Sequence, residues 1–236
     1  MRLAVLTTET PHHTWFVMRL AERLPIARVV VEEHAPPAPF PTFHPFEARR
    51  DEHERAAFFA GREARISDFA PVTACASVNA SEIVADLAKL GPDLTVVFGT
   101  GLLRRALLEG TPGVLLNLHG GNPEEYRGLD SQLWAVYHGD FPALVTTLHF
   151  VDPELDTGDI AFQAAVPLHP GMELHELRAA NTGVCVDLAL AAASEFARSG
   201  NVPRRPQARK GRYYSHMPAV LKDLCVRRFA RHAAKK

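Results

Sequence analysis

The chain has 236 residues, 47% of them hydrophobic, enough for a continuous core and incompatible with disorder in its bulk. Formal net charge is −1, but from Pro203 onward eleven Lys or Arg face the single acid Asp223, so the rest of the chain carries −11. No apolar run approaches the roughly 18 to 20 residues needed to cross a bilayer, and the apolar start is too short for a signal peptide.

The first residues, Leu3–Thr7, read as a buried strand, followed by a helix over 13–24 with Phe16, Leu20 and Leu24 at four-residue spacing. Residues 26–31 make a second strand. The stretch 36–65 is proline-rich, then charged, and long for a plain connection, as insertions that carry binding residues often are. Asn79-Ala80-Ser81-Glu82 resembles a capping box before the helical face of Ile83, Leu87 and Leu90. Leu94–Phe98 is the next strand, Gly99-Thr100-Gly101 a turn, and 102–108 a helix ending near Gly110. Residues 114–118 form a strand, Trp134 and Tyr137 lie in a helix capped by Asp130 or Ser131, and 144–151 with 160–166 read as two antiparallel strands. Residues 174–196 are the longest helical candidate. Pro203 and Pro206 mark a boundary before a terminal amphipathic helix carrying Val220, Leu221, Leu224, Cys225 and Phe229.

Alternating strands and crossover helices give an α/β class with a mostly parallel twisted sheet flanked by helices. Cys75, Cys185 and Cys225 are widely spaced, with no Cys-x-x-Cys, so neither a disulfide framework nor a zinc knuckle is expected and the expected compartment is cytoplasmic. The basic tail reads either as a solvated helix or as a steering surface for a phosphorylated or polyanionic ligand.

Chemistry concentrates in Asn117-Leu118-His119-Gly120-Gly121-Asn122-Pro123-Glu124-Glu125-Tyr126-Arg127-Gly128 and in Leu155-Asp156-Thr157-Gly158-Asp159-Ile160. Asn117 and His119 are two apart on a strand, so both side chains leave on one face near its C-terminal end. Open α/β sheets bind ligands at that edge. An amide there can donate to an oxyanion, an imidazole can add charge or a proton, and the Asp156 carboxylate can take a proton and raise the His119 pKa.

These stretches resemble the signature of the folate-dependent formyltransferases, which reads Asn-x-His, a turn ending in Tyr-Arg-Gly, then Leu-Asp-x-Gly. The likeness runs from about residue 94 to 163. It implies a Rossmann-like formyltransferase domain over 1–200 with a basic C-terminal extension over 201–236, and transfer of a formyl group from 10-formyltetrahydrofolate to a primary amine. In this resemblance Asn117, His119 and Asp156 are catalytic. Such a transfer passes through a tetrahedral, negatively charged oxygen that needs a donor, a proton shuttle and orientation. The resemblance also implies a pteridine site on the turn Phe98, Gly99, Thr100, Gly101, Leu102 and Leu103, whose glycines permit close backbone approach, with Val151 and Leu155 lining it. Gly120, Gly121, Tyr126 and Arg127 are the expected substrate contacts, although Arg127 reads equally as a loop tie through carbonyl groups.

Many members follow the His with Pro-Ser-Leu-Leu-Pro; here the segment is Gly120 to Glu125, at unchanged spacing to Tyr-Arg-Gly. Members acting on glycinamide ribonucleotide carry a glycine-rich phosphate loop after the first strand, whereas Thr8-Glu9-Thr10-Pro11-His12-His13 has no glycine and no expected phosphate cradle. The chain also stops short of the second domain of methionyl-tRNA formyltransferases. The expected acceptor is therefore a small-molecule amine, phosphorylated or nucleotide-linked as in an amino sugar, with nucleic acid disfavoured, no membrane partner, and a homodimer left open.

Competing readings are a formyltetrahydrofolate hydrolase, formylation of a tRNA-linked amine, and a non-catalytic folate-binding protein. Asp156-Thr157-Gly158 matches the aspartic-protease tripeptide, but that chemistry needs a dimer of small all-β subunits. Twelve histidines invite a metal, yet His12, His13, His34, His44 and His53 lack fixed ligand spacing, and no metal is expected. Packing is preferred over an acceptor-pocket role for Trp15, His44 and Glu47, and over base stacking for Tyr213 and Tyr214. Asp152 and Glu154 read as solvated turn residues.

Overall fold

A computed structural model describes residues 1–33 and 38–235. His34 and the proline-rich positions 35–37 lie outside the described residues. In chain order the elements are β1 (Leu3–Thr7), α1 (Pro11–Ala21), β2 (Ile26–Glu32), α2 (Pro45–Phe59), β3 (Val72–Cys75), α3 (Ser81–Leu90), β4 (Leu94–Phe98) and α4 (Arg105–Gly110). They continue with β5 (Val114–His119), β6 (Tyr126–Gly128), α5 (Ser131–His138), β7 (Val145–Phe150), β8 (Ile160–Ala165), α6 (Leu177–Ser199), β9 (Arg212–Tyr214) and α7 (Ala219–Ala233).

Seven strands form one sheet in the order β3-β2-β1-β4-β5-β7-β8. The first five are mutually parallel and the last two are antiparallel additions. All five residues of β1 and of β4 are buried, as a parallel sheet covered on both faces requires. The period-two alternation divides β1 between two cores. Leu3 and Val5 pack with Phe16 and Leu20 of α1 and with Val184, Leu188 and Ala192 of α6, while Ala4 and Leu6 pack with Ile83 and Leu87 of α3 and Leu107 of α4. A third apolar cluster joins α5 and α7 through Ala135, Val136, Cys225 and Phe229, with Tyr126 and Met217.

Chain connections leave β1 toward β2 on one side while β4 and β5 lie on the other, so the C-terminal ends of β1 and β4 flank the switch-point crevice where such sheets bind ligands. The small sheet β6-β9 is parallel and brings the basic C-terminal segment beside Tyr126, Arg127 and Gly128. Arg205 additionally makes an antiparallel bridge with Ile160, the first residue of β8.

Several boundaries differ from the sequence expectations. Helix α1 begins at Pro11, two residues early, because proline suits the first turn where its missing N–H is no loss. Residues 102–104 are not helical, and α4 starts only at Arg105. Asn79 does not cap α3; Ala80 holds that position. The Asn79 amide instead donates to Leu102 O (2.9 Å) and its Oδ1 accepts from Arg104 N (2.7 Å), tying down the turn after β4. Asp130 precedes α5 but makes no side-chain cap; its Oδ2 accepts from Met217 N at 2.7 Å. On α7 the expected apolar Val220 is 83% exposed, whereas Lys222 is buried, its Nζ donating to Thr42 O (2.6 Å) and Glu47 Oε1 (2.9 Å).

Much of the segment after β2 is the regular helix α2. His44 and Glu47 form its capping box, and Trp15 stacks on Phe58 at 4.5 Å, so all three pocket candidates hold α2 in place. No described helix is long and apolar enough to cross a membrane.

Candidate active site

The C-terminal end of β5 carries Asn117 and His119, and the register of β7 places His149 directly across from Asn117. Asp156 comes from the connection between β7 and β8, where its backbone takes the left-handed conformation at φ 55°. The carboxylate lies between two imidazoles, with Oδ2 3.5 Å from His119 Nδ1 and Oδ1 3.4 Å from His149 Nε2. Asn117 Nδ2 is 3.1 Å from His149 Nε2. The structure therefore gathers the amide, the ring and the acid named from sequence, and adds a second ring that sequence reasoning missed.

Carbonyl partners fix the tautomers, because a carbonyl only accepts. His119 Nε2 is 2.7 Å from Tyr126 O, so Nε2 carries the hydrogen and Nδ1 turns its lone pair to Asp156 in the neutral ring. His149 Nδ1 donates to Phe150 O at 2.8 Å, leaving Nε2 to accept one hydrogen of the Asn117 amide. The second hydrogen of that amide stays available to another acceptor.

His119 is 5% exposed, and burial pushes its pKa below the ordinary imidazole value despite the opposing pull of Asp156. The expectation that Asp156 would leave His119 raised is thus corrected: desolvation outweighs the carboxylate. Burial also acts to raise the Asp156 pKa, but His119, His149 and the Gly128 N–H, which donates to Oδ2 at 2.8 Å, together hold it well below the usual carboxylate range. Burial thus favours the neutral form of His119, while its partners favour the ionised form of Asp156.

The four expected substrate contacts are engaged within the protein. Gly121 packs on its neighbours, since a Cβ there would lie 2.8 Å from Ser131 Cβ and 3.0 Å from His119 Nε2, and Gly120 faces Asn181 and Gln132. Tyr126 is buried, donates its hydroxyl to Asp140 Oδ2 at 3.0 Å and stacks on Tyr214. Arg127 donates from Nε to Gly211 O (2.7 Å) and from a terminal nitrogen to Leu155 O (2.9 Å), the carbonyl-tying alternative. On β9, Tyr214 belongs to the aromatic group of Tyr126 and Trp134, while Tyr213 is 53% exposed. Asp152 Oδ1 accepts from Glu154 N and Thr157 Oγ1 and so organises the loop. Glu154 pairs with Lys210 at 2.5 Å.

Phe98, Gly99, Thr100, Gly101, Leu102 and Leu103 form the turn at the end of β4. Gly99 has φ +82°, and a Cβ there would lie 2.3 Å from His13 Nε2, so the side it leaves open is filled by that ring. Glu32 accepts from Gly101 N (2.7 Å) and Val78 N (3.0 Å), locking the turn to the end of β2. Val151 follows β7 with its amide on Leu115 O, nearer the start of β5 than Asn117, and Leu155 immediately precedes Asp156. Among the described residues, no group of three or more His, Cys, Asp or Glu is placed to hold a metal ion.

Beside this edge, the first turn of α1 holds His12 and His13 buried, with Thr8 and Thr10 hydroxyls of the preceding loop within 2.9 Å of their Nδ1 atoms. Burial, reinforced by Arg178, lowers the His13 pKa to about 3, and burial followed by His13 pushes His12 down as well. Both shifts favour the neutral ring.

A methionyl-tRNA formyltransferase from Symbiobacterium thermophilum is 34% identical over 158 residues, covering 65% of this chain and 47% of the relative. The chain spans about half the length of that relative. A solved sugar N-formyltransferase from Shewanella sp has a similar fold, with TM-score 0.60 and 15% identity over 97% of this chain and 87% of that one. HypX from Aquifex aeolicus in complex with tetrahydrofolic acid is similar at TM-score 0.60 and 17% identity over 94% of this chain and 31% of that one. The formyl transferase family matches residues 5–183, and the chain belongs to that family.

Proposed function

We propose that the protein is an N-formyltransferase moving a formyl group from 10-formyltetrahydrofolate to a primary amine of a small molecule, a nucleotide-linked amino sugar being the favoured acceptor. The observation that carries this reading is the convergence of Asn117, His119 and Asp156 at the binding edge of the sheet. The donor supplies the formyl carbon and a nitrogen leaving group. Asn117 presents its second N–H to the oxygen that gains negative charge, in a half-buried setting where a fixed dipole is effective. Asp156, ionised at rest, takes a proton from the attacking amine, and the His119 Nδ1 lone pair facing Oδ2 lets the pair relay it to the departing nitrogen.

The turn after β4 fits a flat heterocycle on two observations. Leu102 presents an apolar side chain that is 60% exposed, and Gly101 adds no side chain of its own. The neutral His12 and His13 support an acceptor that is not gripped by a phosphate in the first loop. Similarity of fold to a sugar N-formyltransferase points the same way.

The test is incubation with 10-formyltetrahydrofolate plus nucleotide-linked amino sugars, glycinamide ribonucleotide, methionyl-tRNA or no amine, followed by mass spectrometry and formate assay. One formyl added to an amino sugar, with tetrahydrofolate appearing in step, is the expected result. Equal formate release with and without every amine would establish the hydrolase instead, and product from methionyl-tRNA alone would overturn the acceptor assignment.

A further inference from the structure

Asn117, His119 and His149 ride on strands, but Asp156 sits in a connection with left-handed backbone. Something outside the strands must therefore fix its carboxylate between the two rings. Part of the answer is Gly128 N on Oδ2. The rest comes from the C-terminal segment. Gln207 Nε2 donates to both Asp156 O (2.9 Å) and Gly158 O (2.8 Å), bracketing the loop from below the acid. Two carbonyl partners leave no choice of amide orientation, since the reverse would oppose oxygen to oxygen.

The other end of the same amide is informative. Gln207 Oε1 is buried and meets no partner among the described residues. The amide is therefore held by its donor end, through the two carbonyls of the Asp156 loop. Around it, Lys210 pairs with Glu154, and Gly211 O receives Arg127, whose other arm holds Leu155 O. The segment meets the His119 loop backbone to backbone, because a Cβ at Gly211 would lie 2.3 Å from Pro123 O.

We propose that residues 204–214 form a strap that positions the Asp156 carboxylate between His119 and His149, with Gln207 as its positioning residue. This rests on the reading of Asp156 as proton acceptor, yet the strap's action on the loop is readable without turnover. Loosening the loop lengthens the contacts of Asp156 with the two imidazoles, while the strands that carry the rings stay put. The titratable and charged groups around the loop are His119 of β5, His149 of β7, Arg127 of β6, and Asp152, Glu154, Asp159, Arg204 and Lys210 beside it.

The experiment uses the full chain labelled with 15N-histidine and follows the imidazole nitrogen signals of His119 and His149 in wild type, Gln207→Met, Gln207→Glu and Asp156→Asn. Met keeps the length of the side chain without its donors; Glu keeps the shape and turns an acceptor toward both carbonyls. Either variant should move both histidine signals toward their Asp156→Asn positions while the melting temperature stays within a few degrees. With whichever acceptor the formylation assay identifies, kcat should fall by about tenfold or more while KM for 10-formyltetrahydrofolate changes less than about twofold, as misplacement of a reacting group predicts. Signals that move in Asp156→Asn but stay at wild-type positions in both Gln207 variants overturn the strap and leave the catalytic reading intact. Wild-type turnover in Asp156→Asn would instead remove the catalytic reading, whatever the Gln207 variants do. If Gln207→Met unfolds, Gln207→Glu carries the same readings.

Discussion

Gly99 has neither the room nor the backbone for another residue: φ is +82° and the His13 ring stands where a side chain would go. Gly99→Ala should cost about 1–3 kcal/mol from the backbone conformation alone, more once His13 is displaced, measured by urea unfolding. An unchanged midpoint would show the turn to be adaptable. At the reacting cluster, His119→Ala or Asp156→Asn should lower turnover at least about 100-fold, about 2.7 kcal/mol of barrier, without unfolding the chain. Near-normal turnover in either removes that residue from the mechanism. Asn117, His119 and Asp156 were legible because two lie at strand spacing and the third is the second residue of a recognisable tetrapeptide. His149 was not, since its role comes from the antiparallel register that sets it opposite Asn117, and no local motif encodes that pairing. The available signal was a lone imidazole in an apolar strand seven residues before Asp156.

Helix α2 shows why an element can escape a sequence reading. It is rich in charge and buries only Phe46, Glu54 and Phe59, so it presents no apolar stripe to find. Its anchor is electrostatic. Glu54 is fully buried and receives Arg178 of α6 through two bonds of 2.6 and 2.7 Å, with His12 Nδ1 at 3.7 Å. Removing one member of a buried pair strands the other charge. Arg178→Met should therefore destabilise by about 3–5 kcal/mol, read from denaturant titration, and a loss below about 1 kcal/mol would show that Glu54 finds another partner. Strands β3, β6 and β9 were missed for a simpler reason: three or four residues are too few to display alternation, and β6 and β9 exist through each other. Strands β1, β2, β4 and β5, by contrast, announced themselves as short apolar runs between helices.

Across the whole molecule the parallel sheet and its two antiparallel additions follow from the order of apolar runs, while the tail's attachment to the active-site loop depends on contacts over 80 residues away in sequence. The buried neutral histidines give the fold a pH dependence. For His13 the folded pKa of about 3 lies below the unfolded value of about 6.5, so the unfolded chain binds the extra proton first. Its contribution is complete above about pH 6.5 and is lost as pH falls from there toward about 3. Between pH 6.5 and 5 the loss is about 2 kcal/mol from this residue, and His12 and His119 add in the same direction. Urea titrations at the two pH values check this, and equal midpoints would contradict it.

The bridge between Ile160 and Arg205 has a colloidal consequence. Strand β8 ends the sheet, and an unclosed rim of peptide groups is a template for another chain to add itself. By occupying the first rung, with Ile160 N on Arg205 O and Arg205 N on Ile160 O, the backbone shortens the ladder open to an intruder. Chains clipped ahead of Arg204 should consequently scatter more light on storage than intact ones.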